Sequence, residues 1–189
     1  MLQCTLDFLT LVQSFSNIPR YQMPAACRRV KGALQEVAHA IRGTFRLSES
    51  EQLSEHTIVY TTVNAFYLDV IQSCADYMNE CGNLEANNTA AEWLLEAEAL
   101  LIALQVIYKY IPNARHIAIN AAKTHIQHLQ TFSQCKARHI RKKQIAELGD
   151  FIRQYEPGFE TPKVSTDWGV IIASIVVVVI VTAVLVSCM

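Results

Sequence analysis

The chain has no excess of either charge: 16 lysines and arginines stand against 17 aspartates and glutamates in 189 residues. A balanced chain exerts no global pull on nucleic acid, so any electrostatic partner must be read from a local patch. The six cysteines, at 4, 27, 74, 81, 135 and 188, contain no C-x-x-C spacing. That excludes the usual zinc frameworks and fits free, packed thiols in a reducing compartment. A G-x-S-x-G elbow, a phosphate-cradling glycine loop and paired carboxylates in an apolar setting are also missing, so nothing supports an enzyme, and neither cofactor nor metal is expected. There is no alternating strand pattern, no repeat and no low-complexity tract. The start, M-L-Q-C-T-L-D-F-L, lacks a basic stretch and carries Asp7 early, unlike a signal peptide.

What is present is a charge-free run of twenty residues from Val170 to Met189. About twenty such residues cross a hydrocarbon core as a helix, which makes this a transmembrane segment by expectation, with Val170, Ile180 and Leu185 facing lipid. Trp168 suits the headgroup interface just before it. The basic residues Lys136, Arg138, Arg141, Lys142, Lys143 and Lys163 all precede the run and none follows it, which places the bulk of the chain in the cytosol. The expected organisation is a cytosolic helical domain over residues 1–155, a linker with Pro157, Gly158 and Pro162 over 156–168, and a tail anchor over 169–189. In that orientation the sequon Asn87-Asn88-Thr89 stays unused.

The apolar period before the linker is helical throughout. Helices are expected at Leu2–Phe15, at Ala25–Phe45 behind Pro24, and at Thr57–Cys81 after the polar break S-E-S-E-Q-L-S-E. Gly82 is the expected cap of the third. Thr89-Ala90-Ala91-Glu92 reads as a capping box opening a fourth helix through Tyr110. Beyond Glu98 that helix is apolar almost all round, which requires other helices to wrap it. Pro112 ends it, and the short connection makes the next helix, Ala114 to about Ser133, its antiparallel neighbour. A last helix runs from near Arg138 to Gln154.

His125 and His128, with His116 two turns earlier, read as polar-face histidines, since no carboxylate or cysteine joins them on their own helix. The run K-A-R-H-I-R-K-K over residues 136–143 reads as a solvated face, with anionic lipid as its alternative partner.

One stripe carries more information. Val30, Leu34, Val37 and Ile41 fall at i, i+4, i+7 and i+11, with small Ala38 behind the third, the spacing of helix-in-groove recognition. It resembles the third homology motif of the Bcl-2 family of apoptosis regulators, with His39 where that motif has aspartate. The order of a short first helix, a motif helix, an apolar central hairpin and a hydrophobic tail is similar too. The resemblance implies an all-α, compact helical bundle around a central apolar hairpin, Bcl-2-like, plus a C-terminal transmembrane helix. It also implies that the protein holds death-motif helices of pro-apoptotic relatives in a hydrophobic groove while anchored in the mitochondrial outer membrane or endoplasmic reticulum membrane. Groove walls are then expected from Val30, Leu34, Val37, Ala38 and Ile41, from Phe66 and Tyr67, and from Trp93. Within such a fold the same stripe helps to build the core. The alternative of a different class is a SNARE-like tether, which calls for a long heptad helix running into the anchor; a membrane enzyme would instead need the histidine helix to face a cofactor pocket.

Overall fold

The stripe at residues 30–41 determines how the first half of the chain packs. The computed structural model describes residues 1–81, 84–132 and 136–163, and these form six α-helices with no strand among them. They are α1 (Gln3–Gln13), α2 (Met23–Arg42), α3 (Glu49–Cys81), α4 (Leu84–Tyr108), α5 (Arg115–Thr131) and α6 (Arg138–Arg153), with 3-10 turns at Arg20–Gln22 and Pro112–Ala114. The expected all-helical class therefore holds. The tail residues Trp168, Val170, Ile180 and Leu185 and the expected cap Gly82 lie outside the described residues. Among the described residues no helix is long and apolar enough to cross a membrane.

Helix α2 starts with Pro24 in its first turn, where a missing amide hydrogen breaks no bond. Its buried side chains, Ala26, Cys27, Val30, Leu34, Val37, Ala38 and Ile41, recur every three or four residues and lie against α1, α3 and α4. Phe8 and Val12 of α1 and Val59, Val63, Phe66, Tyr67 and Val70 of α3 complete that side of the core. Burial of Cys27 pushes its thiol up to about 12, with Glu96 adding to the effect, so it is a packing group rather than a nucleophile at neutral pH.

Two helix starts differ from expectation. The polar run S-E-S-E-Q-L-S-E is the opening of α3 and not a break. The Ser48 amide donates to Glu51 Oε2 at 2.8 Å and the Glu51 amide to Ser48 Oγ at 3.3 Å, a reciprocal capping box that satisfies amides otherwise left bare. Conversely, α4 begins at Leu84, so Thr89 lies inside the helix instead of capping it. Leu-Glu-Ala at 84–86 are good helix formers, and a helix already under way needs no cap at Thr89.

Helix α4 packs against α2, α3 and α5, while α6 packs on α5. Because α5 runs back along α4 and α6 runs back along α5, α4 and α6 flank α5 in the same direction. After α6 the chain turns over itself. The Glu156 amide donates to Ile152 O at 2.8 Å and the Phe159 amide to Glu156 O at 2.9 Å, Lys123 pairs with Glu156 at 2.7 Å, and Thr161 returns to lie on Gly149. A side chain at position 149 would collide with Thr161, so the glycine permits this close approach.

His56 of α3 is wholly buried, its ring edge-on to Tyr108 with centroids 5.2 Å apart. Neither ring nitrogen has a hydrogen-bond partner among the described residues. Burial, with the charge of Arg42 added, holds His56 down at about 4. The unfolded chain therefore binds more protons than the folded one between its ordinary value near 6.5 and pH 4. Stability from this group is complete above about pH 6.5 and falls as pH drops through that window, by roughly 3 kcal/mol at its lower end. His56→Leu should flatten the loss of stability between pH 7 and 4 in urea unfolding. An unchanged pH slope in the variant would contradict this assignment.

Candidate functional site

A helix apolar all round is expected to be covered all round, and α4 is not. Leu95, Ile102 and Val106 follow one another along a single stripe that Tyr110 continues in the turn just past the helix, and all remain exposed, Val106 at 59% and Tyr110 at 69%. Scattered exposed aliphatics are ordinary, whereas a line of them makes a candidate contact surface.

The stripe borders a cleft of about 320 Å³ between α4 and α6. Ile102 and Val106 form one wall, Leu148 and Phe151 the other. The floor is polar: Gln105, His125 and Gln144. Lys109 and Glu147 stand at the rim, and Lys109 Nζ lies over the rings of Tyr110 and Phe151 at 5.6 and 5.8 Å. On the other side of Val106 and Tyr110 a smaller cleft of about 250 Å³ reaches Ala38, His39 and Arg42 of α2. A third, of about 300 Å³, separates α1 from α2 beside Val37.

The floor belongs to a buried network. Glu98 of α4 is 5% exposed; its Oε1 accepts from His125 Nε2 at 2.9 Å, from Lys136 Nζ at 2.5 Å and from Gln144 Nε2 at 3.4 Å. Gln105 Nε2 is 3.1 Å from His125 Nδ1, so that nitrogen is the acceptor and Nε2 carries the hydrogen given to Glu98. Burial raises the carboxyl, but the hydrogen bonds from His125 and Lys136 outweigh it and hold Glu98 at about 2. One turn along, Tyr67 O–H meets His128 Nδ1 at 3.0 Å. Burial lowers His128 to about 4, although Glu98 pulls the other way; burial and the nearby Glu98 both raise the Tyr67 hydroxyl. His128 is thus a neutral acceptor and Tyr67 a donor at neutral pH.

These positions correct the reading of the histidines. His125 and His128 are buried, at 3% and 5% exposure, and not on a polar face. A carboxylate does join them, from the neighbouring helix, where spacing along α5 cannot reveal it. No serine, threonine or cysteine lines the cleft beside His125, and no set of three metal-ligating side chains occurs among the described residues.

The residues expected to wall a groove lie elsewhere. Val30, Leu34 and Ile41 are fully buried; Val37, Ala38, Phe66, Tyr67 and Trp93 are nearly so. Trp93 stacks on Tyr77 with centroids 5.0 Å apart, in a small cluster with Cys74, Leu94 and Phe132. Of these, Val37 and Ala38 reach the edges of the two smaller clefts. The physical reason is that α1, α3 and α4 all press on the stripe, which satisfies its apolar surface inside the domain. The basic run also divides: Lys136 turns in to Glu98 and Arg141 is buried, while Arg138, His139, Lys142 and Lys143 are exposed.

No protein-family model, curated protein or solved structure matches this chain.

Glu98→Gln removes the charge that Lys136 and His125 are arranged around and leaves a cation part-buried without its partner. The expected cost is roughly 3 kcal/mol in urea unfolding at pH 7, the lower end for breaking a buried pair. A change within about 0.5 kcal/mol, the range of a surface substitution, would mean that the network does not hold the domain together.

Proposed function

We propose that the protein captures an amphipathic helix on the exposed stripe of α4, in the manner of a Bcl-2-type regulator tethered by its apolar tail to the mitochondrial outer membrane or endoplasmic reticulum. The observation that carries the reading is the line Ile102, Val106 and Tyr110 beside an open apolar cleft. The cleft is at the small end for ligand sites and takes the anchor side chains of a helix, not its backbone. From Glu98 to Lys109 the α4 wall is about 16 Å long at the helical rise, matching anchors spread over three turns. Lys109 and Glu147 on opposite rims favour a helix carrying an acid on one flank and a base on the other.

The ligand sought is a death-motif helix, and its docking wall is the α4–α6 cleft instead of the buried stripe of α2. Sequestration of such helices would then follow from occupancy alone, with no chemistry. The tethering alternative has less to support it: α6 is 16 residues long and the chain after it folds back, so no continuous heptad helix leads toward the tail.

Calorimetric titration of the full chain in phosphatidylcholine nanodiscs against a panel of death-motif peptides tests the proposal. Selective binding is expected, weakened about thirtyfold or more by Val106→Glu, the size of a central interface anchor. If no peptide binds, or if binding survives Val106→Glu unchanged, the α4 cleft is not the site.

A further inference from the structure

The exposed half of the basic run has no role in the cleft, and its position on α6 is unfavourable to the helix itself. Four side chains that are or can become cationic, Arg138, His139, Lys142 and Lys143, face solvent in the first two turns. That end of a helix carries the positive pole of its dipole and favours anions. There is no acidic residue in the first turn and no side-chain cap at Ala137. Lys143 reaches Glu147 only at 3.8 Å, and Asp150 is held by Arg153. Arg138 and Lys142 have no ion pair among the described residues. Between them Ile140 is 42% exposed. A local rule broken without a compensating contact inside the fold is expected where a surface serves an external partner.

The path of the chain points to that partner. After Arg153 it reverses, and Thr161 lies on Gly149, a full turn back along α6, where Arg153 donates a hydrogen bond to the Thr161 hydroxyl. Phe159 packs into the α5–α6 cluster and Lys123 holds Glu156. The strap is thus fixed to the bundle and travels toward the basic half of α6. Lys163 is the last described residue, and only residues 164–169 separate it from the charge-free run that begins at Val170. Six residues reach at most about 20 Å when extended, comparable to the length of α6 itself, about 24 Å.

We propose that the basic half of α6, Arg138, His139, Ile140, Lys142 and Lys143, is a docking surface for an anionic bilayer, positioned by the strap so that the domain lies down on the membrane that holds its tail. The proposal rests on reading residues 169–189 as the anchor. The cations meet headgroups, Ile140 meets the boundary of the acyl chains, and each lysine or arginine contributes about a fivefold gain in the docked population. Residues Lys136 and Arg141 take no part, because the fold already uses or buries them.

Hydrogen exchange of the full chain in nanodiscs tests this, comparing phosphatidylcholine alone with phosphatidylcholine containing phosphatidylserine. Amides 138–140, which lie in the first turn and lack intrahelical partners, should exchange about tenfold or more slowly in the anionic discs, and high salt should reverse the effect. The protection should vanish in R138Q/K142Q/K143Q and persist in K142R/K143R; in neutral discs thermal unfolding should be no lower in either variant, since the glutamines relieve repulsion at the helix N-terminus. Equal exchange in the two disc types, or equal protection in the triple variant, overturns the proposal. So does matching protection by inorganic phosphate in neutral discs, which would mark a site for a free anion. A chain that fails to co-elute with neutral discs overturns the anchor reading; co-elution with anionic discs alone would still support the surface, and co-elution with neither would overturn both.

Discussion

A carboxylate taken out of water must be compensated where it lies, and Glu98 draws its compensation from both helices that follow it and from the approach to the second. His125 comes from α5, Lys136 from the approach to α6 and Gln144 from α6 itself. The geometry of the second half of the domain follows from that requirement. Helix α6 packs on α5 through Ile145 and Ile152, but its start is tied across to α4 by a charge pair that tolerates little displacement. The two helices are joined at that end and only bridged at the other, where Lys109 lies over Phe151. Between the two ties the gap stays open, with His125 and Gln105 as its floor.

The same constraint explains why α4 is covered on three sides. Its inner faces meet α2, α3 and α5, and Leu100, Leu101, Leu104 and Tyr108 are wholly buried there. A helix lying directly on Ile102 and Val106 would have to occupy the space that the Glu98 clamp keeps between α4 and α6. The apolar stripe is therefore left uncovered among the described residues, and of the polar floor beneath it Gln105 and His125 are satisfied by each other and by Glu98, while Gln144 Oε1 is buried without a hydrogen-bond partner. A helix bound there, as proposed, would bury aliphatic surface and find one acceptor, Gln144 Oε1, without a donor.

Much of the helical plan was legible in the sequence, because proline and apolar spacing act locally. Pro24 and Pro112 lie where helices begin, and the stripe from Val30 to Ile41 is core, one of the two roles its period allows. The start of α3 was obscured because a capping box and a loop draw on the same residues, and Ser48 with Glu51 was hidden in a run that is polar throughout. The network was not legible, since Glu98 and His125 are 27 residues apart and only the packing of α4 on α5 brings them together. One sign was present: Glu98 is the last acid before a stretch of α4 that is apolar almost all round, and a charge carried into such a stretch needs a partner. The exposed stripe was unreadable for the opposite reason, as an apolar helix gives no indication of which of its faces will lack a neighbour.

The state of the Glu98 carboxyl is the most direct test of this account. Carbon-detected magnetic resonance of the side-chain carboxyl, followed from neutral pH into acid, should find it ionised through pH 4 and protonating only near 2. A midpoint at the ordinary glutamate value, near 4.5, would mean that the group is in water, that α6 is not clamped to α4, and that the cleft has no fixed second wall.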